Sequence, residues 1–502
     1  MGRTLTLEQT AAVRAKENFV LISAAAGSGK TTVITERLKY LLTNQNVNPK
    51  SIVCITFTRN AAEELKTRLY EMGIQDAGFI GTIHAFAYFL LGRGESDENQ
   101  FELYSEYFDD KFHRELIEKY AKHITYARWK KYKKLEAQYT RGEIDAETLE
   151  GFLTIDEIVE LNSINGQNYF KTKINEDDEE DFFETNEWSH PTIVDLCLKN
   201  NVITFDEMLK RAIAYFKSNN IELEHILVDE FQDVGNLEYR FVNALKAKNY
   251  YFCGDDYQSI YGFKGADPSI FLSCSKNKKF KVYKLTKNFR CDGSILTLSN
   301  KIIDNIPNEL KMTKTVVGNS SDLGKTSMSD FTDDKVLTIV KNMTDEQKKN
   351  CFVLTRSNED LNDLKTMLHK HGIDTLTFRQ ANLTNDEIRQ AMEAEEIKLL
   401  TVHSSKGLEA DNVILVGNFY IKPESWMIRS YEEKVRNGDK PKFNLWEEQR
   451  IFYVGVTRAR HNLYIMKKIP NREKVYRVTD SQKMLRKAEE RNYRNAYYKA
   501  KA

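Results

Sequence analysis

The sequence predicts an α/β protein built on parallel sheets, in two lobes. Short apolar runs of strand length alternate with segments of helical spacing, the pattern of strands joined by crossover helices. Strand-length runs fall at 19–22, 53–57, 226–228 and 251–253, then at 352–354, 399–402, 413–416 and 463–466, so the strands form two groups. At 502 residues the chain also exceeds what a single core supports.

The first strand opens the functional reading. Phe19-Val20-Leu21-Ile22 leads into the small-residue loop AAAGSGKT at 24–31, and apolar residues then recur at Val33/Ile34, Leu38 and Leu41/Leu42 with helical spacing. A strand, a loop of small residues and a helix start are what a polyphosphate needs, because free backbone N–H groups and the positive end of the helix dipole both face the anion. Lys30 is expected to reach the β- and γ-phosphates, and the Thr31 hydroxyl to ligate Mg²⁺. The common phosphate-loop pattern GxxxxGK[ST] has glycine where this chain has Ala24. A second apolar run, 226–228, ends in Asp229-Glu230. That pair supplies what the loop lacks: Asp229 to hold Mg²⁺, and Glu230 to take a proton from an attacking water.

Composition excludes several classes. A hydrophobic content of 41% with 29% charged residues fits a soluble globular protein, and no apolar run approaches a membrane span. The opening residues MGRTLTLEQT lack the pattern of a secretion signal. Six scattered cysteines without a CxxC pair point to reduced thiols in a cytoplasmic setting and away from a zinc module. Formal net charge is zero, so a nucleic-acid surface has to be local. In 127–141 Arg128, Lys130, Lys131, Lys133, Lys134 and Arg141 face only Glu136, with Trp129, Tyr132 and Tyr139 interleaved. An acidic run, EDDEED, fills 176–181, and the tail from Met466 is rich in Lys and Arg. Each reads equally as an interaction surface or as a solvated face.

Seven further blocks complete the pattern: VCITFTRNAAEEL (53–65), GTIHAFA (81–87), ILVDEFQD (226–233), YFCGDDYQSIYGFKGA (251–266), LTKNFR (285–290), TVHSSKGLEADNVILVG (401–417) and EEQRIFYVGVTRAR (447–460). In this order they resemble the superfamily 1 helicases, specifically the UvrD/Rep type, from Leu5 to Arg460. That family's loop reads AxxGxGKT, which accounts for Ala24. The resemblance implies two RecA-like P-loop NTPase lobes with a mainly helical insertion in the first. The expected divisions are 1–91 and 202–280 for the first lobe, 92–201 for the insertion, 281–466 for the second lobe and 467–502 for a basic tail.

The same resemblance assigns roles by matching positions. ATP contacts are expected from Gln9, which reads the adenine edge, from Ala24, Ala25, Ala26, Gly27, Ser28, Gly29, Lys30, Thr31 and Thr32, from Phe289 stacked on the base, and from Glu409 on the ribose. Lys30, Asp229, Glu230, the γ-phosphate sensor Gln258, and Arg290 and Arg458 from the second lobe form the implied catalytic set, with Thr31 and Asp229 on the metal. Phe57, His84, Tyr261, Phe263, Lys264, Arg356 and His403 are the implied contacts to single-stranded DNA, where aromatic stacking grips any base.

The chain also departs from the family. Thr32 stands where an arginine commonly covers the second face of the adenine, which implies looser base selectivity and lower ATP affinity. Lys264 replaces an arginine, keeping charge but losing the planar fork. Ala410-Asp411 after KGLE resembles the helicase IV branch. Rep-type enzymes insert a 2B domain before KGLE, and the residues between Arg356 and Thr401 leave no room for one. The implied activity is an ATP-dependent DNA helicase or translocase moving 3′ to 5′ in repair, recombination or replication. Its partners would be single-stranded DNA, strand junctions, and single-strand-binding or repair proteins, with no membrane. The alternative is a DNA-stimulated ATPase subunit that remodels or loads a partner with little unwinding. A helicase–nuclease is disfavoured, because few residues follow the last motor block.

Overall fold

The computed structural model describes residues 4–92, 102–103, 125–140, 152, 202–203, 205–219, 221–319, 322–378, 380, 383–423, 427–429, 431 and 444–468. Most of the expected insertion, the acidic run at 176–181 and nearly all of the 467–502 tail lie outside them.

Among the described residues, twelve strands make two six-stranded parallel sheets. In chain order they are β1 (Phe19–Ala24), β2 (Ile52–Thr56), β3 (Phe79–Thr82), β4 (Leu223–Val228), β5 (Ala247–Gly254), β6 (Lys281–Leu285), β7 (Lys325–Asp330), β8 (Cys351–Thr355), β9 (Thr375–Leu376), β10 (Ile397–Thr401), β11 (Ala410–Gly417) and β12 (Ala459–Lys467). The first sheet runs β3-β2-β4-β5-β1-β6 and the second β7-β12-β11-β8-β10-β9. Central strands such as β2, β8 and β10 are buried at every position, as parallel strands covered on both faces have to be. The family's α/β lobes are therefore present.

All eight strands expected from apolar runs form. Just beyond the boundary expected at 280/281, Lys281–Leu285 pairs in parallel with β1, Val20 opposite Lys281 through Ala24 opposite Leu285, and closes the edge of the first sheet. Its sequence KVYKL is half-exposed, so it carries no apolar run to mark it.

Because each sheet is parallel, the carboxyl ends of its strands lie along one edge, where open α/β sheets bind ligands. The loop after β1, Asp229-Glu230 after β4, Asp255–Gln258 after β5 and Phe57 after β2 all emerge there. A continuous core joins the two sheets at this edge. It packs Ala25, Ala26, Tyr257 and Ile260 from the first against Cys291, Ile295 and Tyr453 from the second half. Both sheets lie in one compact unit, Met1–Ala87 with Ala212–Asn471.

Within Tyr88–Arg211 the described parts include the parallel ladder Glu102–Leu103 with Val202–Ile203 and the helix Tyr126–Thr140. On that helix Trp129 and Tyr132 are buried, while Lys130, Lys131 and Lys134 are exposed. Two aromatics of the basic stretch are therefore core residues and not part of an interleaved surface. Tyr132 packs near Phe152, and Arg128 donates to the Phe152 carbonyl at 2.7 Å with its guanidinium over that ring.

Candidate active site

The phosphate loop is shaped by glycines at two left-handed positions, Gly27 at φ 65° and Gly29 at φ 84°, the second capping the helix Lys30–Lys39. A side chain at Gly27 would also collide with Arg290 Cβ at 2.7 Å, so the loop and the NFR block touch. Asn288 donates to the Ala26 carbonyl at 2.7 Å, the Phe289 N–H donates to the Gly27 carbonyl at 2.9 Å, and Ser28 Oγ donates to the Ala25 carbonyl at 2.7 Å. Ala24, Ala25 and Ala26 are fully buried, which leaves no space for larger residues. The first-turn N–H groups of the following helix have no helical acceptor and are available to an anion.

Gln9 is fixed by a capping box at the start of the helix Leu7–Val13. Its Oε1 accepts from the Thr6 N–H at 3.0 Å, and its Nε2 donates to the Ser28 carbonyl at 2.9 Å. One amide hydrogen and one lone pair remain for a base edge. Phe289 is 47% exposed, with the Lys287 ammonium 5.6 Å from its ring centroid. Thr31 and Thr32 lie half-buried on the first turn after Lys30.

Glu230 is one of two non-glycine residues with positive φ among the described residues, at 49°, and this left-handed turn aims its carboxylate back toward the loop. Lys30 Nζ donates to Glu230 Oε2 at 2.9 Å. Burial pushes the Glu230 carboxyl up, but Lys30 and Lys406 more than reverse this and hold it down to about 2. Burial and the neighbouring Glu230 push Asp229 the other way, to about 7. Burial pulls the Lys30 ammonium down, and Glu230, Asp255 and Asp229 raise it further than burial lowers it.

Two networks extend from this pair. Gln232 Nε2 donates to both Glu230 and Asp233, while its Oε1 accepts from the Asp255 N–H at 2.8 Å. Gln258 Nε2 donates to Asp255 Oδ2 at 2.6 Å. Arg458 Nη2 lies 3.4 Å from Gln258 Oε1, and its other nitrogens donate to the Val454 and Leu408 carbonyls at 2.9 and 3.0 Å. Burial and then the nearby Arg290 push the Arg458 guanidinium down to about 9. Arg290 is held by Glu409 and by the Thr457 carbonyl at 3.2 Å. Glu409, expected on a ribose, divides its oxygens between Arg290 and Arg460. Arg290 thus lies against the loop at Gly27, and Arg458 against Gln258.

The aromatic residues form a second cluster beside these networks. Phe57 and Tyr261 stack with ring centroids 5.2 Å apart and planes 14° apart, and Phe263 and His403 meet edge to face at 5.5 Å. Lys264 lies over the Tyr261 ring at 4.9 Å, and His403 Nε2 lies 3.2 Å from the Ile260 carbonyl. Burial, with Arg356 nearby, pushes the His403 imidazole down to about 4, so it is neutral near pH 7. His84 is half-buried in the first turn of the helix Ile83–Leu91, directly after β3. Arg356 is clamped through two nitrogens by Glu448, an ion pair that the sequence reading did not anticipate.

Lys406 joins the two clusters. Its ammonium donates to Asp233 and to the Gln258 carbonyl at 3.0 Å, and it sits 4.7 Å from the Tyr261 centroid. It stands inside the KGLE block, yet its contacts with Asp233 and Tyr261 are visible only in three dimensions.

The UvrD/REP helicase N-terminal domain matches residues 5–279, more than half of the chain, and the UvrD-like helicase C-terminal domain matches 283–383 and 376–468. A probable DNA helicase of Mycoplasma pneumoniae is 24% identical over 99% of this chain and 89% of its own length. DNA helicase IV of Escherichia coli is 26% identical over 91% of this chain and 67% of its own. The ATP-dependent DNA helicase PcrA of Staphylococcus epidermidis is 31% identical over 60% of this chain, a match spanning 40% of that protein. With its phosphate loop, paired carboxylates and two arginines, the chain belongs to the UvrD/Rep helicase family.

Proposed function

We propose that the chain is an ATP-driven DNA helicase that translocates 3′ to 5′ on single-stranded DNA. The observation that carries this reading is the continuous path from Lys30–Glu230 through Gln232, Asp255 and Gln258 to Arg458, with Lys406 linking the same network to the Phe57–Tyr261 stack. On nucleotide binding Lys30 exchanges Glu230 for phosphate oxygens, which frees Glu230 to accept a proton from water. Arg290 and Arg458 stabilise charge on the transferring phosphoryl group, and Gln258 relays its loss to the aromatic track.

The donor set fits Mg²⁺. Asp229 emerges beside the loop, with one oxygen accepting the Glu230 N–H at 2.8 Å, and burial of its remaining charge favours a cationic partner. Thr31 would supply the second oxygen. The ion, when bound, would neutralise phosphate charge.

The lobe boundaries follow the sequence divisions, with β6 moved into the first lobe. Absence of a 2B domain is supported by residues 357–400, whose described parts are the helix Asn358–Lys370, β9, the helix Asn385–Glu393 and β10. The same observation favours the second reading, a DNA-stimulated ATPase that remodels a partner with little unwinding. Among the described residues no helix is long and apolar enough to cross a membrane. Five described cysteines are buried and free, which supports a reducing, cytoplasmic setting. Single-stranded DNA, single-strand/duplex junctions, and single-strand-binding or replication and repair proteins are the proposed partners.

Strand displacement on 3′-tailed, 5′-tailed and blunt duplexes with ATP tests these readings. Displacement confined to the 3′-tailed substrate supports the helicase. DNA-stimulated hydrolysis without displacement favours the remodelling subunit, and hydrolysis indifferent to DNA refutes both.

A further inference from the structure

Lys314 lies outside every block that defines the family resemblance, on the segment after the helix Gly293–Asp304, and its side chain is fully buried between Asp255 and Asp256. A lysine is almost never buried this way unless it is paired. Its ammonium donates to Asp255 Oδ1 at 2.6 Å and Asp256 Oδ1 at 3.0 Å, its third hydrogen faces the Ala24 carbonyl at 3.2 Å and Ser23 Oγ at 3.3 Å, and it rests 4.2 Å from the Tyr257 ring centroid. Burial pulls the ammonium down, and the two carboxylates raise it further than burial lowers it, so it stays charged.

The remaining oxygens of the pair are also assigned. Asp256 Oδ2 accepts from the Met312 N–H at 2.7 Å, and Asp255 Oδ2 accepts from Gln258 Nε2 at 2.6 Å. Tyr257 closes the site by donating its hydroxyl to the Met312 carbonyl at 2.6 Å. Ala24 is the last residue of β1, at the root of the phosphate loop, and Gln258 is the sensor. One buried cation thus fixes the distance between the loop and the residue that answers to the γ-phosphate. Burying three charges costs more than packing apolar groups of the same volume, so the cluster is better explained by geometry than by stability.

We propose that Lys314 is a positioning residue for hydrolysis: through Asp255 it holds Gln258 in register with the phosphate loop, and it ties both to the second-lobe segment 311–314. This rests on the helicase reading only in naming Gln258 as the sensor. The competing view is a structural ion cluster that merely anchors the segment.

The double variant Lys314→Met with Asp256→Asn separates the two. It removes the ammonium and one carboxylate together, so the cluster keeps its net charge, and Asp255 keeps the bonds it accepts from the Tyr257 N–H and from Gln258 Nε2. Two measurements are made on the full chain: DNA-stimulated ATP turnover, and hydrogen exchange of the amides 255–261 with ADP and Mg²⁺ present. The expected result is a kcat lower by about 10²-fold with KM for ATP within about two-fold, the signature of misplacement without lost binding. Faster exchange at 255–261, with ADP affinity retained, is expected alongside. A folded double variant with parental kcat and parental exchange overturns the proposal, as does a matched loss of ADP affinity, which would mark general disruption. If the double variant does not fold, Lys314→Arg is read by the same measures: lowered kcat at unchanged KM supports positioning, and parental values overturn it. A parent without DNA-stimulated turnover refutes the helicase reading alone, because the exchange measurement still reports on Lys314.

Discussion

Lys30 and Glu230 are bonded to each other, Nζ to Oε2 at 2.9 Å, so the cation proposed to bind phosphate is paired with the group proposed to accept a proton. With Lys30 occupied in this way, Glu230 is a poor base until nucleotide draws the lysine away. Glu230→Gln is expected to retain ATP binding and to lose turnover by about 10²-fold or more, since an amide can orient water but cannot accept its proton. Lys30→Ala is expected to abolish turnover by removing the loop's cation. Steady-state hydrolysis alongside binding of a fluorescent nucleotide checks both. Near-parental turnover in Glu230→Gln would remove Glu230 from its role.

Arg458 is 1% exposed and is held by backbone carbonyls on one side and Gln258 on the other. Arg458→Ala is expected to lower turnover by about 10³-fold, the scale of an arginine finger. Because the same change removes a donor from each of the Val454 and Leu408 carbonyls, melting temperature has to be followed in parallel. A loss of about ten-fold or less, on the scale of modest transition-state effects, would leave Arg458 as a structural residue.

The legible parts of the molecule were those in which chemistry is local in sequence. β2, β8 and β10 are buried along their whole length, so their apolar runs announced them, and the loop at 24–31 carried its own glycine and lysine signals. β6 was missed because an edge strand needs only one covered side, and KVYKL alternates. Lys314 carried no signal at all. Its partner Ala24 lies 290 residues earlier, and no spacing rule spans that distance. Arg356 was read as a contact to the strand, and its clamp by Glu448 is likewise a meeting of distant blocks.

The Phe57–Tyr261 stack predicts how DNA affinity divides. The two rings now cover each other, so a base is received by opening or capping that stack. Tyr261→Ala is expected to weaken single-stranded DNA binding by roughly 1–3 kcal/mol, the value of one aromatic platform. The dependence of affinity on salt should stay unchanged, because no phosphate contact is lost. Fluorescence anisotropy titrations at several salt concentrations check this, and a shallower salt slope for Tyr261→Ala would contradict it.

The exposed face of the helix Tyr126–Thr140 predicts the opposite pattern. Lys130, Lys131 and Lys134 are exposed while Trp129 and Tyr132 are buried, and Lys131 lies 5.5 Å from the Phe152 ring centroid, so replacing the cations leaves the buried aromatics of the helix unchanged. Replacing Lys130, Lys131, Lys133 and Lys134 by Ala is expected to weaken DNA binding and flatten its salt dependence, since fewer counterions are released. An unchanged slope returns the stretch to a solvated face.

The compact second lobe sets the last expectation. Every residue proposed above for catalysis or base stacking lies outside residues 357–400, so the proposed ATPase and grip on a single strand are expected not to depend on a 2B domain. Duplex engagement then falls to the basic helix Tyr126–Thr140 and to the basic segment beyond Met466, a smaller electrostatic footprint. A motor that holds duplex weakly dissociates before finishing a long one. Monomers are therefore expected to show strong DNA-stimulated hydrolysis and 3′-to-5′ translocation, but low processivity unless a partner or further copies assist. Single-turnover unwinding of a short and a long 3′-tailed duplex, with a trap that prevents rebinding, measures this directly. A long duplex unwound as completely as the short one by isolated monomers would show that the short connection between β8 and β10 does not limit the motor.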